Sequence, residues 1–312
     1  MFVTTQWGVH GGTEVETFVT IQNLKKRFGC DAELICIQPD GHEVVRYMDR
    51  RVTVKRTTPD KALQLVQDEL KRFDPDVALV TTHQIEPVCR AIKAYGVPLI
   101  NRYHDCIDID FRLPDYFMFN AKLTYNYVKQ KYPGMRGDVV YPPFDHEYFS
   151  SVQTTGYDAE FISMINPCQP KGGAIFFYLA RTMKDRKFAF LRGWRESRLH
   201  EWLRKLNNVT DMGVLEDTRE FYKRTRLLLI PSTHNESFAR IKLEAMACEV
   251  PCIMSDRGGL SECVERSAIV VPSNCPTSSI YKPNFYRWGE EIRRFDDMNY
   301  YRMIQARCKK DM

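Results

Sequence analysis

Long apolar runs are missing from this 312-residue chain; stretches such as Ala174–Ala180 fall well short of the roughly 18 residues that a membrane-spanning helix needs. No basic region followed by an apolar core comes after Met1, so no signal peptide is expected and the sequence predicts a soluble, cytoplasmic protein. Peripheral contact with a membrane surface stays open. Ten cysteines are present but none forms Cys-x-x-Cys, and the nearest pair is Cys248 and Cys252. That scatter fits a reducing compartment and excludes the usual zinc and disulfide frameworks. The Gly-x-Gly-x-x-Gly dinucleotide fingerprint is also absent, which argues against a dehydrogenase. No repeat of solenoid length stands out.

What is present is ordinary globular composition, with 44% hydrophobic and 27% charged residues, enough for two domains. Net charge is +5, and the segment Arg181–Lys205 holds nine Lys or Arg against three Asp or Glu. Such a segment is either a solvated face or a patch for an anionic partner: a phosphorylated substrate, a membrane surface or nucleic acid.

Short β-rich runs alternate with helical periodicity, which predicts α/β architecture with parallel sheets. In the first half, strands are expected at Phe2–Thr5, Ala32–Gln38, Val52–Lys55, Val77–Thr82, Pro98–Tyr103 and Asp138–Tyr141, with helices at Ala62–Phe73 and Pro87–Tyr95. His146–Asp158 reads as a linker. The alternation then restarts with strands Phe161–Ile165, Phe188–Arg192, Leu227–Pro231, Pro251–Ser255 and Ala268–Pro272. Helices are expected at Gly172–Met183, His200–Leu206, Glu216–Thr225, Phe238–Cys248 and Trp288–Lys309. The natural architecture is two doubly wound domains facing each other across a cleft, with ligands at the carboxyl ends of the strands. The expected division is residues 1–150, 151–287 and a terminal helix over 288–312 returning toward the first domain.

The densest chemistry lies in Ile230-Pro-Ser-Thr-His-Asn-Glu-Ser-Phe-Ala-Arg-Ile-Lys-Leu-Glu-Ala-Met-Ala. A buried strand ends at Pro231, a polar loop follows, and a helix is expected from about Ser237. Glu236 and Glu244 would then stand roughly 12 Å apart along a helical axis. That span suits one carboxylate at each end of a nucleotide sugar. The free N–H groups of Ser237, Phe238 and Ala239 in the first turn would meet the diphosphate between them. The other reading makes both acids ordinary helix residues.

This segment resembles the Glu-x7-Glu motif of retaining GT-B glycosyltransferases of family 4, the group 1 glycosyl transferases. The likeness continues through Cys248-Glu-Val-Pro-Cys-Ile-Met-Ser-Asp-Arg-Gly-Gly-Leu-Ser-Glu, Ile165-Asn-Pro-Cys-Gln-Pro-Lys-Gly-Gly, Gly11-Gly12-Thr13-Glu14 and Val139-Val-Tyr-Pro-Pro-Phe-Asp. The matches occur in family order over nearly the whole chain. The resemblance implies the GT-B fold and retained transfer from a UDP- or GDP-hexose to a glycan, lipid-linked or other hydroxyl acceptor. It also implies that Glu244 binds the donor ribose and Glu236 the sugar hydroxyls, while Lys171, joined by Arg240, neutralises the diphosphate. His104 would stand beside the reacting sugar, and Gly11 and Gly12 would let backbone approach the donor.

Three positions depart from the family pattern: Asn166 replaces an arginine, and Ala239 and Glu249 replace glycines. Asn166 removes a cation from the presumed phosphate site while keeping a hydrogen-bond donor, so an arginine restored there is expected to tighten nucleotide binding if its side chain fits. Asp108-Ile-Asp110 is read as a loop acid pair rather than a metal motif, and no metal or other cofactor is expected. Three rivals stand beside this reading. One is another GT-B chemistry, such as an epimerase or hydrolase. The second is a DNA modified-base glycosyltransferase using the basic segment, and the third is a non-catalytic nucleotide- or glycan-binding module.

Overall fold

A computed structural model of the chain describes residues 1–4, 12–37, 41–47, 50–81, 86–104, 109–193, 197–264, 266–272 and 284–311. The chain divides into two compact units, Met1–Pro143 and Phe144–Met312. The first boundary therefore falls at Pro143, ahead of the expected 150.

The first unit runs β1 (Phe2–Thr4), α1 (Gly12–Phe28), β2 (Leu34–Ile37), β3 (Gly41–Tyr47), β4 (Arg50–Thr57), α2 (Pro59–Phe73) and β5 (Ala78–Thr81). It continues through α3 (Glu86–Tyr95), β6 (Leu99–Tyr103), β7 (Tyr116–Phe119), α4 (Lys122–Lys131) and β8 (Gly137–Val139). These strands form one sheet in the order β3-β4-β2-β1-β5-β6-β7-β8, parallel except for the antiparallel pair β3–β4. The expected elements of this half are present. The β3 strand, β7 and α4 lie outside the sequence expectation.

The second unit runs α5 (His146–Ser150), β9 (Phe161–Ile165), α6 (Gly173–Thr182), β10 (Phe188–Leu191), α7 (Arg198–Arg204), β11 (Val209–Asp211) and α8 (Arg219–Lys223). It ends with β12 (Thr225–Ile230), α9 (Ile241–Ala247), β13 (Cys252–Ser255), β14 (Ala268–Val271), α10 (Phe285–Arg294) and α11 (Met298–Lys310). Its parallel strands are ordered β11-β10-β9-β12-β13-β14. Numbered from β9, this is the 3-2-1-4-5-6 order of a doubly wound, dinucleotide-type sheet, whose strand order reverses between β9 and β12. Strands such as Phe-Ala-Phe-Leu in β10 are buried on both faces, as parallel strands covered by helices must be.

Four expectations need correction. The supposed linker 146–158 contains α5, capped by the Asp145 carboxylate accepting from Tyr148 N at 3.0 Å, and α5 packs on α9. The predicted helix 216–225 shrinks to α8, because Thr225 already opens β12. The predicted helix 288–309 is two helices, α11 being restarted by Asp297, whose side chain accepts from Asn299 N and Tyr300 N. These helices bury Trp288, Ile292, Tyr301 and Ile304 in the core of the second unit with Phe176, Phe188 and Leu229, so they are integral to that unit rather than a separate terminal segment.

Candidate functional site

The crevice at the carboxyl ends of β9 and β12 is where an open parallel sheet of this order binds ligands. Two loops meet there. Gly172, at φ 85°, ends the turn after β9, and a Cβ on it would fall 1.9 Å from the Pro231 carbonyl oxygen. Glycine is required there on both counts. Pro170 O accepts from Thr233 N at 2.9 Å and pairs with His234 Nδ1 at 2.7 Å. This lacing brings Lys171 and Glu236 face to face.

Lys171 Nζ donates to Glu236 Oε1 at 2.7 Å and Oε2 at 2.8 Å. Ser232 Oγ, four residues upstream, donates to Oε1 at 2.5 Å, and His234 Nε2 stands 3.7 Å away. Burial alone would raise the Glu236 carboxyl, but Lys171, His234 and the Ser232 hydroxyl together hold it below the ordinary carboxylate range. Glu236 is thus a buried carboxylate kept ionised by a half-buried lysine.

Glu236 is not on the helix. The helix α9 begins at Ile241, later than the expected Ser237, because Ala239 takes a left-handed φ of 59°. Ser237, Phe238 and Ala239 form a turn ahead of it, so the 12 Å helical spacing does not apply, and these residues are not a helical first turn. Glu236 instead bridges in parallel to Gly258, and its carbonyl accepts from Gly259 N at 2.7 Å.

Glu244 is the second carboxylate, buried on α9. Arg240 Nη2 lies 3.3 Å from its Oε1 one turn earlier, and the fully buried Tyr222 donates its hydroxyl to Oε2 at 2.9 Å. Burial, with Glu244 beside it, pushes the Tyr222 phenol well above its usual range, so that hydroxyl remains a donor. Each glutamate of the pair therefore carries its own cation.

Asn166 follows β9 at the same crevice, with φ 55°. Its side chain packs on Gly193, where a Cβ would fall 2.5 Å from Asn166 Cγ. Neither amide atom of this buried side chain finds a hydrogen-bond partner among the described residues. The gain expected from an arginine at 166 therefore depends on a longer side chain finding room beside Gly193 on a left-handed backbone.

In the first unit, His104 follows β6 and is buried. Its Nε2 lies 2.9 Å from Glu16 Oε2, while Arg102 Nε donates to the other oxygen of the same carboxylate. Arg102 also donates to Val140 O at 2.5 Å. Burial would raise the Glu16 carboxyl, but His104 and Arg102 outweigh it and hold it at about 2. Gly12 opens α1, and a Cβ added there would meet no atom of the described residues within 4 Å. Gly11 and Asp108 lie outside the described residues.

The basic segment is less basic in its setting than in sequence. Arg186 pairs with Asp296, Lys187 with Glu160, and Arg192 and Arg204 with Asp211. Among the described residues no cluster of three or more His, Cys, Asp or Glu side chains could hold a metal ion, and no helix is long and apolar enough to cross a membrane.

Residues 177–281, within the second unit, match the family model described as Glycosyl transferases group 1. Over 99% of the chain, the structure is similar to a glycosyltransferase from Rickettsia africae, with TM-score 0.75 and 13% identity over 92% of that chain. It is similar to a sucrose-phosphate synthase from Thermosynechococcus elongatus, with TM-score 0.74 and 13% identity, 99% of this chain covering 93% of that one. It is also similar to Anabaena HepE in complex with UDP and glucose, with TM-score 0.73 and 18% identity over 99% and 93% of the two chains. The fold is GT-B. The family model spans about a third of the chain, and the likeness to solved structures is one of fold. A comparison with curated protein sequences finds no match.

Of the site residues expected from sequence, Lys171 with Glu236 and Arg240 with Glu244 are brought into direct contact. Sequence reasoning missed Ser232, Tyr222, Glu16 and Arg102. Ser232 sits four residues before Glu236, a spacing that could have flagged it; the others are joined to their partners only by tertiary folding.

Proposed function

We propose that the protein transfers a hexose from a nucleoside-diphosphate sugar, UDP- or GDP-linked, to a hydroxyl acceptor with retention of anomeric configuration. The observation that carries this reading is the pair of buried, cation-matched carboxylates Glu236 and Glu244 at the β9–β12 switch point. Glu244 accepts from the ribose hydroxyls, and Glu236 from hydroxyls of the transferred sugar. Ser237, Phe238 and Ala239 offer backbone N–H groups to the donor, and Asn166 offers its amide.

Departure of the diphosphate places negative charge on the bridging oxygen as positive charge grows on the anomeric carbon. Lys171 and Arg240, already in the crevice when the donor arrives, stabilise that leaving charge electrostatically once they face the phosphates. Their present partners suggest how: each cation swings a short way from carboxylate to phosphate as the carboxylate takes up a hydroxyl. In a retaining transfer the acceptor attacks from the face the diphosphate leaves, and a diphosphate oxygen takes the acceptor proton. No second glycosidase-type carboxylate is required, and the protein cations take the place a divalent ion would fill. His104, its Nε2 engaged by Glu16, is proposed to contact the reacting sugar, with Gly12 letting the backbone come close to the donor.

HepE is a solved neighbour captured with UDP-glucose, which favours a UDP-linked donor as the first to test. Binding to a panel of UDP- and GDP-sugars, read as a thermal shift that grows with ligand concentration, tests the donor class. A shift with the matching nucleoside diphosphate and its sugar is expected; no shift with any member of the panel overturns the reading. Activity that survives EDTA is the expected result for the cation assignment.

A further inference from the structure

Lys242 is used by no step above. It lies on α9 with a fully buried side chain, between Glu236 and Glu244 in sequence. Among the described residues its ammonium pairs with no carboxylate. Nζ donates to Gly259 O and Leu260 O, both at 2.9 Å, and sits 4.1 Å from the centroid of the buried Phe238 ring. Burial pulls it down to about 8, against support from Cys263, Glu262 and Glu236.

A buried ammonium whose hydrogen bonds go to backbone carbonyls is costly, and an apolar residue of similar volume would pack there without that cost. What the ammonium secures is the loop after β13. The same loop is held on its other side by Glu236: Gly259 N donates to Glu236 O at 2.7 Å, and Gly258 bridges to Glu236. Contact is so close that a Cβ on Gly259 would fall 2.0 Å from Ser237 O. The 258–260 backbone is therefore gripped between Glu236–Ser237 and Lys242, with Phe238 beneath the ammonium.

We propose that Lys242 is a positioning residue that clamps Gly258–Leu260 and, through that loop, fixes the backbone of Glu236 so its carboxylate meets the donor sugar. The assignment rests on the donor reading given above. The clamp serves the sugar end of the donor, because the side-chain hydrogen bond and ion pair of Glu244 run to Tyr222 and Arg240 and not to the loop.

The test compares wild type with Lys242→Met, which keeps the volume and removes the donors, and with Lys242→Gln, which keeps a neutral donor. Two readouts are needed. Hydrogen exchange should accelerate about tenfold or more at Gly259 N–H in Lys242→Met, less in Lys242→Gln, with the amides of β12 and β13 unchanged. Turnover of the donor identified by thermal shift should fall about tenfold or more in Lys242→Met, while the dissociation constant of its nucleoside diphosphate changes less than about twofold. Unchanged Gly259 exchange overturns the clamp. Accelerated exchange throughout β12 and β13, or equal losses in nucleotide binding and turnover, overturns it as well, showing a general packing role. If wild type itself binds no nucleotide, the donor reading fails, and Gly259 exchange alone decides whether Lys242 holds the loop.

Discussion

The Lys171 ammonium bonds both oxygens of the Glu236 carboxylate, at 2.7 and 2.8 Å. In the chain they are 65 positions apart, on loops that leave two neighbouring strands at the reversal of strand order. The pair sets a buried carboxylate and its counter-cation where the donor is proposed to lie. Removing Lys171 takes away the ammonium bonded to both oxygens of the buried Glu236, so Lys171→Ala should raise the Glu236 carboxyl as well as remove a phosphate cation. Turnover should drop by about 10²-fold or more, the scale of losing one preorganised donor. Steady-state kinetics at saturating donor checks it; a loss confined to KM would contradict it.

Glu244 should matter for the nucleotide and Glu236 for the sugar. Glu244→Ala should weaken nucleoside diphosphate binding by roughly 10–150-fold, the equivalent of about 1.5–3 kcal/mol for a charge-assisted hydrogen bond. Tyr222→Phe, which removes one donor to Glu244 and keeps the ring, should cost less. Glu236→Ala should leave nucleoside diphosphate affinity near wild type. Calorimetry on the three variants reads the order; equal affinity for wild type and Glu244→Ala would reassign the ribose contact.

Glu16 gives the first unit a pH dependence whose sign is fixed. Its carboxyl is held at about 2 in the fold, against an ordinary value of 4.5. A depressed carboxylate contributes stability that is full above about 4.5 and is lost as pH falls toward 2, at most about 3 kcal/mol here. Glu16→Gln should therefore be less stable than wild type at pH 6, and the difference should shrink as pH falls through this window. Denaturation midpoints at about pH 6, 4 and 3, spanning that window, measure it. A gap that widens toward acid would contradict the assignment.

Two positions where glycine is the family residue keep the backbone that glycine favours. Ala239 has φ 59° and Glu249 φ 55°. A left-handed conformation costs an L-residue roughly 1–2 kcal/mol, partly offset by the entropy glycine loses on folding. Ala239→Gly and Glu249→Gly should each stabilise by about 0.5–1 kcal/mol. Glu249 also lies 3.2 Å from Lys309 on the surface, a contact too exposed to reverse the sign. Asn166→Arg should act the other way, destabilising the second unit and failing to tighten nucleotide binding. Chemical denaturation of the three variants tests the stability claims, and nucleotide titration of Asn166→Arg tests the other.

The legibility of the chain followed the range of its interactions. Strands β9, β10, β12, β13 and β14 are readable because parallel strands are apolar runs bounded by turns, and Glu236, Glu244 and Lys171 stand out as candidates because they sit in local motifs. The start of α9 is not readable, since the periodicity from Phe238 onward looks helical while the left-handed Ala239 delays the helix to Ile241. Glu16 and His104 are 88 positions apart, and no spacing rule joins them; their contact exists only once α1 and β6 share a unit. Tyr222 and Glu244 are likewise joined by packing. Lys242 was the least legible, because a lysine on a helix beside a polar loop reads as solvated and here is wholly buried.

The central claim is retained transfer from a nucleoside-diphosphate sugar by the site built on Glu236 and Glu244. It is tested most directly by NMR of the first product formed from the donor that binds, in EDTA, with an acceptor supplied. The expected product has the anomeric configuration of the donor, is formed by wild type and is lost in Lys171→Ala. An inverted linkage, or transfer that needs magnesium to appear, would contradict the claim.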